Sequence, residues 1–147
     1  MIRLRLELFL ISLVRSRGSA DAASVDSDAL ELDSLRDIRQ YIDTNYCTNI
    51  RLDELCVLFH TNKTSLCGNF RTSYGATIGN YINQLRIRKA KILLREGKEN
   101  VTQIAAVTGF NTVHYFSKVF KKFKRMTPTE CRLSIKAQLD EKIPERN

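Results

Sequence analysis

The sequence predicts an all-α fold: two helix-turn-helix subdomains joined by a long linker helix. Three observations support this. Residues 101–129 place a small-residue apolar patch (Ile104, Ala105, Ala106, Val107) ahead of Gly109, then Thr112, then Phe116, Val119, Phe120 and Phe123. The last four recur at i, i+3, i+4 and i+7, one apolar helical face. Gly109 is free to take the positive φ that ends a helix, and the Thr112 hydroxyl suits the cap of the next one. Second, the pattern recurs 50 positions earlier: Leu55 and Cys56 match Ala105 and Ala106, Asn62 matches Thr112, Leu66 matches Phe116, Phe70 matches Phe120 and Arg71 matches Lys121. Two copies at so long a period are too few for a solenoid. Third, residues 76–95 keep helical periodicity without a breaker between the copies.

Residues 1–17 read as an amphipathic helix, with Ile2, Leu6, Phe9 and Leu13 on one side and Leu10 and Val14 widening the stripe. The run is too short to span a bilayer. A signal peptide is the competing reading, since Ala20-Asp21-Ala22 follows a basic start and an apolar run, but Glu7 interrupts that run. Residues 18–33 are rich in Ser, Ala and Asp and read as a flexible acidic linker. From Ser34 the periodicity resumes through Leu35, Ile38 and Ile42. The first helix-turn-helix is expected at about residues 52–75, with Leu52, Leu55, Cys56 and Phe59 inward and Asp53 and Glu54 suiting the dipole of its opening turn. Gly75 ends its second helix.

The linker helix is expected over residues 77–95, burying Ile78, Tyr81, Ile82, Leu85, Ile92 and Leu93 and exposing Arg86, Arg88, Lys89, Lys91 and Arg95; Gly97 closes it. About 19 residues at 1.5 Å each give a rod of roughly 28 Å. The second helix-turn-helix follows at residues 102–124, with His114, Ser117, Lys118, Lys121 and Lys122 on its polar face. Thr127-Pro128 ends the reading helix or starts another. A short final helix is expected at residues 130–139, the unit as a whole covers residues 34–140, and residues 141–147 form a charged tail.

The net charge of +8 is uneven. Residues 1–33 hold four basic and six acidic side chains, whereas residues 34–147 hold 20 and ten. An excess of that sign points to a polyanionic partner, nucleic acid or an anionic surface. Cys47, Cys56, Cys67 and Cys131 show no CxxC or Cys/His ligand spacing, so free thiols are expected and no metal site. His60 and His114 are the only histidines, neither is paired at a catalytic spacing, and no phosphate-cradling glycine loop is present. Nothing here points to an enzyme or to a cofactor.

The chain resembles the AraC/XylS family of bacterial transcription regulators in their C-terminal DNA-binding domain. The resemblance rests on Ile104-Ala105, Gly109-Phe110, Tyr115 to Lys122, Met126-Thr127-Pro128 and Arg132, and on Tyr81-Ile82, Arg86-Ile87, Ala90 and Leu93-Leu94 of the linker helix. It implies two helix-turn-helix subdomains that bind double-stranded DNA and regulate transcription, most often as an activator working with RNA polymerase, in the cytoplasm at the nucleoid and without membrane attachment. The first unit departs from the family pattern, which has an aromatic at Ser65, an arginine at Gly68 and an apolar residue at Asn69. The second head is therefore expected to be the more faithful reader.

Base edges in the major groove are reached from the start of a recognition helix. The candidates are Lys63, Thr64, Cys67 and Gly68 in the first unit and Val113, His114, Ser117 and Lys118 in the second. His114 suits a base edge, Lys118 a guanine and Val113 a thymine methyl. Arg71, Arg88, Lys121, Lys122 and Lys124 are candidates for phosphates, which set affinity and register without sequence. Plainer roles compete: a solvent-facing His114 and, preferred for Cys67, a small semi-buried filler. Tyr81, Phe110, Tyr115, Phe116 and Phe120 are expected in the core. The other function class is a basic helical protein-interaction module without specific DNA readout. Most family members carry an upstream sensing domain, and 33 residues are too few for a ligand pocket. Two readings follow, a small stand-alone activator whose activity is set by its abundance or a truncated chain; the second is preferred, with the apolar start as the last helix of a lost sensing domain, and residues 2–14 are a candidate contact for a weak homodimer.

Overall fold

The computed structural model describes the backbone of residues 27–141 and the side chains of residues 33–141. The apolar start lies outside them, as do the charged tail from residue 142 on and the candidate dimer contact at residues 2–14. Seven helices follow in order among the described residues, with no strand: α1 Ser27–Asn45, α2 Leu52–Leu58, α3 Lys63–Tyr74, α4 Ile78–Glu96, α5 Val101–Val107, α6 Val113–Lys124 and α7 Pro128–Asp140. Helix α1 begins inside the stretch read as linker. The run Ala29-Leu30-Glu31-Leu32 consists of strong helix formers and outweighs the Ser and Asp content around it. Helix α7 starts at Pro128, two residues ahead of the expected start, because Thr127 and Glu130 form a reciprocal capping box and proline suits the first helical position.

Two separate cores form on one shared helix. The first gathers Leu35, Ile38 and Ile42 of α1, Leu55 of α2, Leu66 and Phe70 of α3, and Ile78 and Ile82 of α4. The second gathers Ile87, Ala90 and Leu94 of α4, Ile104 and Ala105 of α5, Phe110, then Phe116, Val119 and Phe120 of α6, and Cys131 of α7. Phe70, Phe116 and Phe120 are wholly buried. Truncating a side chain of that kind to alanine costs about 3–5 kcal/mol, a large share of a small domain's stability.

The repeat is written in the caps. Asn62 accepts a bond from the Ser65 amide at 2.8 Å, and Thr112 accepts one from the Tyr115 amide at 3.1 Å. Gly75 and Arg125 end α3 and α6 in the left-handed region, with φ of 68° and 60°. Thr77 and Thr127 then cap α4 and α7. Each pair is 50 residues apart. Within the helix-turn-helix the period slips by one, since the turn residues with positive φ are His60 and Gly109. The first turn is a residue shorter and takes a histidine where the second takes glycine. Histidine tolerates that region better than most side chains do.

Several residues expected inside are not. Leu52 and Val107 stand at or near the ends of short helices and are exposed, as is Ile92 of α4 at 49%. A plain 3.6-residue stripe misplaced Ile92 because the second core is served by Ile87, Ala90, Leu94 and the partly buried Leu93.

Candidate nucleic-acid interface

Helices α3 and α6 present equivalent faces. Their buried sides are Leu66 and Phe70 in α3, and Phe116, Val119 and Phe120 in α6. On the other side of α3, Lys63, Thr64, Cys67, Gly68 and Arg71 are all exposed. The matching positions of α6 are Val113, His114, Ser117, Lys118 and Lys121; all are exposed except Ser117, which is half-buried. Cys67 is therefore not the semi-buried filler expected. It follows Leu66 by one position, 100° round the helix, which turns it out of the core.

Two of these side chains already have partners. The Lys63 ammonium lies 2.6 Å from the Asp53 carboxylate of α2, with both groups more than half exposed. Hydrogen bonding and charge from Lys63 hold the Asp53 carboxyl below its ordinary range, and the same contact raises Lys63. The Ser117 hydroxyl donates to the Val113 carbonyl at 2.9 Å. Its proton is thereby spent within the helix, so toward a base Ser117 offers lone pairs and suits an amino donor such as cytosine N4 or adenine N6.

A cleft of about 390 Å³ runs beside α6, lined by Asn80 and Asn83 from α4 and by Tyr115, Lys118, Val119, Lys122 and Phe123 from α6. It places one base-reading candidate and one phosphate candidate beside two amides the sequence reading passed over. Their signal was two asparagines near the start of an otherwise basic and apolar helix. Tyr115 corrects the core expectation, being 49% exposed, although its ring stays 6.0 Å from that of Phe110. Of the other four aromatics, Phe110, Phe116 and Phe120 are buried and Tyr81 is partly so. The Tyr81 hydroxyl donates to Asp43 at 2.7 Å and accepts from Arg39 at 3.1 Å, tying α1 to α4. Lys121, Lys122 and Lys124 sit in the last turn of α6, where cations also favour the helix dipole. Arg88 is exposed on α4 and lies outside the cleft.

Arg86 is a cation held through two of its donors by the fold rather than by solvent. Its Nε donates to the Tyr46 carbonyl at 2.6 Å and its Nη2 to the Thr48 carbonyl at 2.7 Å. The guanidinium carbon stands 5.5 Å from the centre of the Phe110 ring. Burial pulls its pKa below the ordinary arginine value, but a guanidinium keeps its proton under all ordinary conditions. Sequence reasoning counted Arg86 among the surface charges. A signal was available: Ile78, Ile82, Ala90 and Leu94 step along α4 four residues at a time, and Arg86 fills the central place of that buried stripe.

A family model described as a helix-turn-helix domain matches residues 55–134, more than half of the chain. The chain belongs to the AraC/XylS family, whose DNA-binding domain consists of two such helix-turn-helix units. It is 31% identical over 121 residues to the xylose operon regulatory protein of Haemophilus influenzae, covering 82% of this chain and 30% of that protein. It is 34% identical over 128 residues to the HTH-type transcriptional activator RhaR of Yersinia pseudotuberculosis, covering 83% of this chain and 41% of the relative. The chain thus spans well under half the length of these two relatives. Among solved structures, the C-terminal domain of the two-component response regulator yesN from Fusobacterium nucleatum superposes with a TM-score of 0.62 at 31% identity, over 72% of this chain and 99% of that one. The DNA-binding domain of AdpA, solved in complex with a target DNA, gives 0.67 at 16% identity over 71% and 95%, a likeness of fold. The family is one of DNA-binding regulators rather than enzymes. Among the described residues no helix is long and apolar enough to cross a membrane.

Proposed function

We propose that this chain binds double-stranded DNA sequence-specifically and regulates transcription, as an activator, by setting α3 and α6 into successive major grooves. The observation that supports this most directly is the duplicated face: two capped helices carry matching outward faces 50 residues apart on one shared rod, five exposed positions in α3 and four of the five equivalents in α6, with Ser117 half-buried. A rod of roughly 28 Å approaches the 34–36 Å of one DNA turn. Val113, His114, Ser117 and Lys118 read bases in the second groove, and Lys63, Thr64, Cys67 and Gly68 face the first. Gly68 offers no side chain to a base, so the second head supplies most of the selectivity. Arg71, Arg88, Lys121, Lys122 and Lys124 hold phosphates.

A DNA partner supports a cytoplasmic protein at the nucleoid, and the activator reading carries with it a contact with RNA polymerase. The apolar sequence of residues 2–14 supports a weak homodimer, since so many apolar side chains need covering. Selecting bound duplexes from a random pool tests the reading. A recovered motif with two half-sites about one turn apart is the expected result. Recovery of no motif, with only salt-sensitive binding to every sequence, would leave the basic protein-interaction module as the better account.

A further inference from the structure

Among the described residues the two cores have only α4 in common, and neither apolar cluster includes a residue of the other. The first ends at Ile82 and the partly buried Leu85, and the second begins at Ile87. Arg86 stands at the changeover. Its fork reaches across to the Tyr46 and Thr48 carbonyls just past the end of α1, in the first unit. Its guanidinium carbon lies over the ring of Phe110, in the turn of the second. Beside it the Cys47 carbonyl occupies the space a side chain on Gly109 would need, so the loop of one unit rests on the turn of the other.

We infer that Arg86 is a positioning residue that fixes the angle between the two reading heads, and that it need not touch DNA to do so. This rests on the two-groove reading proposed above. A planar guanidinium with two directed bonds and an aromatic ring beneath it defines orientation as well as distance, which a flexible ammonium cannot. The apolar stripe of α4 would tolerate leucine at this place for packing alone. An arginine there satisfies two carbonyls beyond a helix end and anchors the far unit to the near one. When the heads are held rigidly, binding by one raises the effective concentration of the other at its groove. Loss of the Arg86 contacts loosens that alignment and forfeits the gain while leaving α4 and each head intact.

The test compares the wild-type 147-residue chain with Arg86→Gln and Arg86→Lys. The duplexes are the one the wild type selects from a random pool and the same duplex with either half scrambled. Arg86→Gln is expected to keep its helicity and to bind each scrambled duplex within about twofold of wild type, yet to lose roughly 10- to 100-fold on the intact site. Arg86→Lys, which keeps the charge and one donor, loses less, on the order of threefold to tenfold. In the free proteins, amide residual dipolar couplings of residues 34–75 and 101–140 fit one alignment tensor for wild type and require two for Arg86→Gln. A folded Arg86→Gln with one tensor overturns the inference, as does an equal loss on intact and scrambled sites. Should Arg86→Gln not fold, an unchanged site ratio in Arg86→Lys overturns it. If the pool yields no preferred duplex, the DNA reading fails while the tensor comparison still decides the role of Arg86.

Discussion

The Cys47 carbonyl oxygen sits where a side chain on Gly109 would begin. A Cβ built on Gly109 meets that oxygen closer than real Cβ atoms approach anything, and lies 3.1 Å from the Arg86 Nε. Gly109 also has φ of +90°, where an L side chain is strained whatever the space. The glycine thus does two things: it turns α5 into α6, and it lets the first unit's loop lie on the second unit's turn. Backbone carbonyls cannot move aside as a flexible side chain can, so the contact is unforgiving.

Gly109→Ala is therefore expected to lower stability by about 1–3 kcal/mol, from left-handed strain and displacement of the Cys47 loop. Urea unfolding at constant m-value measures it. Gly79, which is in α4 with open space at its Cβ position, is the control: Gly79→Ala should stabilise by about 0.4–1 kcal/mol. Equal effects of one sign at the two sites would contradict the contact.

Lys118 and Lys122 share the cleft beside α6 and should separate by role. Lys118→Ala is expected to cost about 1–3 kcal/mol on the selected duplex and little on random DNA. Lys122→Ala should weaken both similarly and reduce the salt slope by about one. Titrations at several salt concentrations distinguish the two. A sequence-selective loss at Lys122 would exchange the assignments.

Features with a local cause were legible in the sequence. Asn62 and Thr112 cap because a short side-chain oxygen reaches the amide three residues on, and Gly75 and Gly97 end helices because the left-handed region favours glycine. Most of the α3 and α6 faces followed from helical spacing, Cys67 and Tyr115 being the exceptions. What periodicity could not supply was the partner of each face. Tyr115 looks apolar at helical spacing yet opens onto the cleft, and Arg86 looks like a surface charge because its carbonyl partners lie 40 and 38 residues away. Asn80 and Asn83 gain meaning only once α4 and α6 lie side by side.

Thr112 links stability to reading, because it caps the helix whose first turn carries Val113 and His114. Thr112→Ala should destabilise by about 1 kcal/mol, and Thr112→Ser should recover most of that through the same bond to the Tyr115 amide. Thermal unfolding followed by circular dichroism reads both. Serine behaving like alanine would show that the threonine methyl, not its hydroxyl, matters.

The Asp53–Lys63 pair predicts a pH signature and a change in DNA affinity. Asp53 is held below its ordinary range, so its contribution to stability is complete above the unfolded carboxyl's titration and is lost as pH falls through the lower folded value. Lys63 is raised, so its contribution is complete below the unfolded lysine's titration and is lost as pH rises through the higher folded value. Both groups face solvent, so both effects are small and fade with salt. Asp53→Asn removes them together and should flatten the stability profile at its acid and alkaline ends. The same change releases the Lys63 ammonium and deletes a negative charge beside the first reading helix. Affinity for every duplex should then rise by roughly twofold to tenfold at low salt, with a salt slope steeper by about one. Weaker binding confined to the selected duplex would give Asp53 another task, aiming Lys63 at a base rather than restraining it.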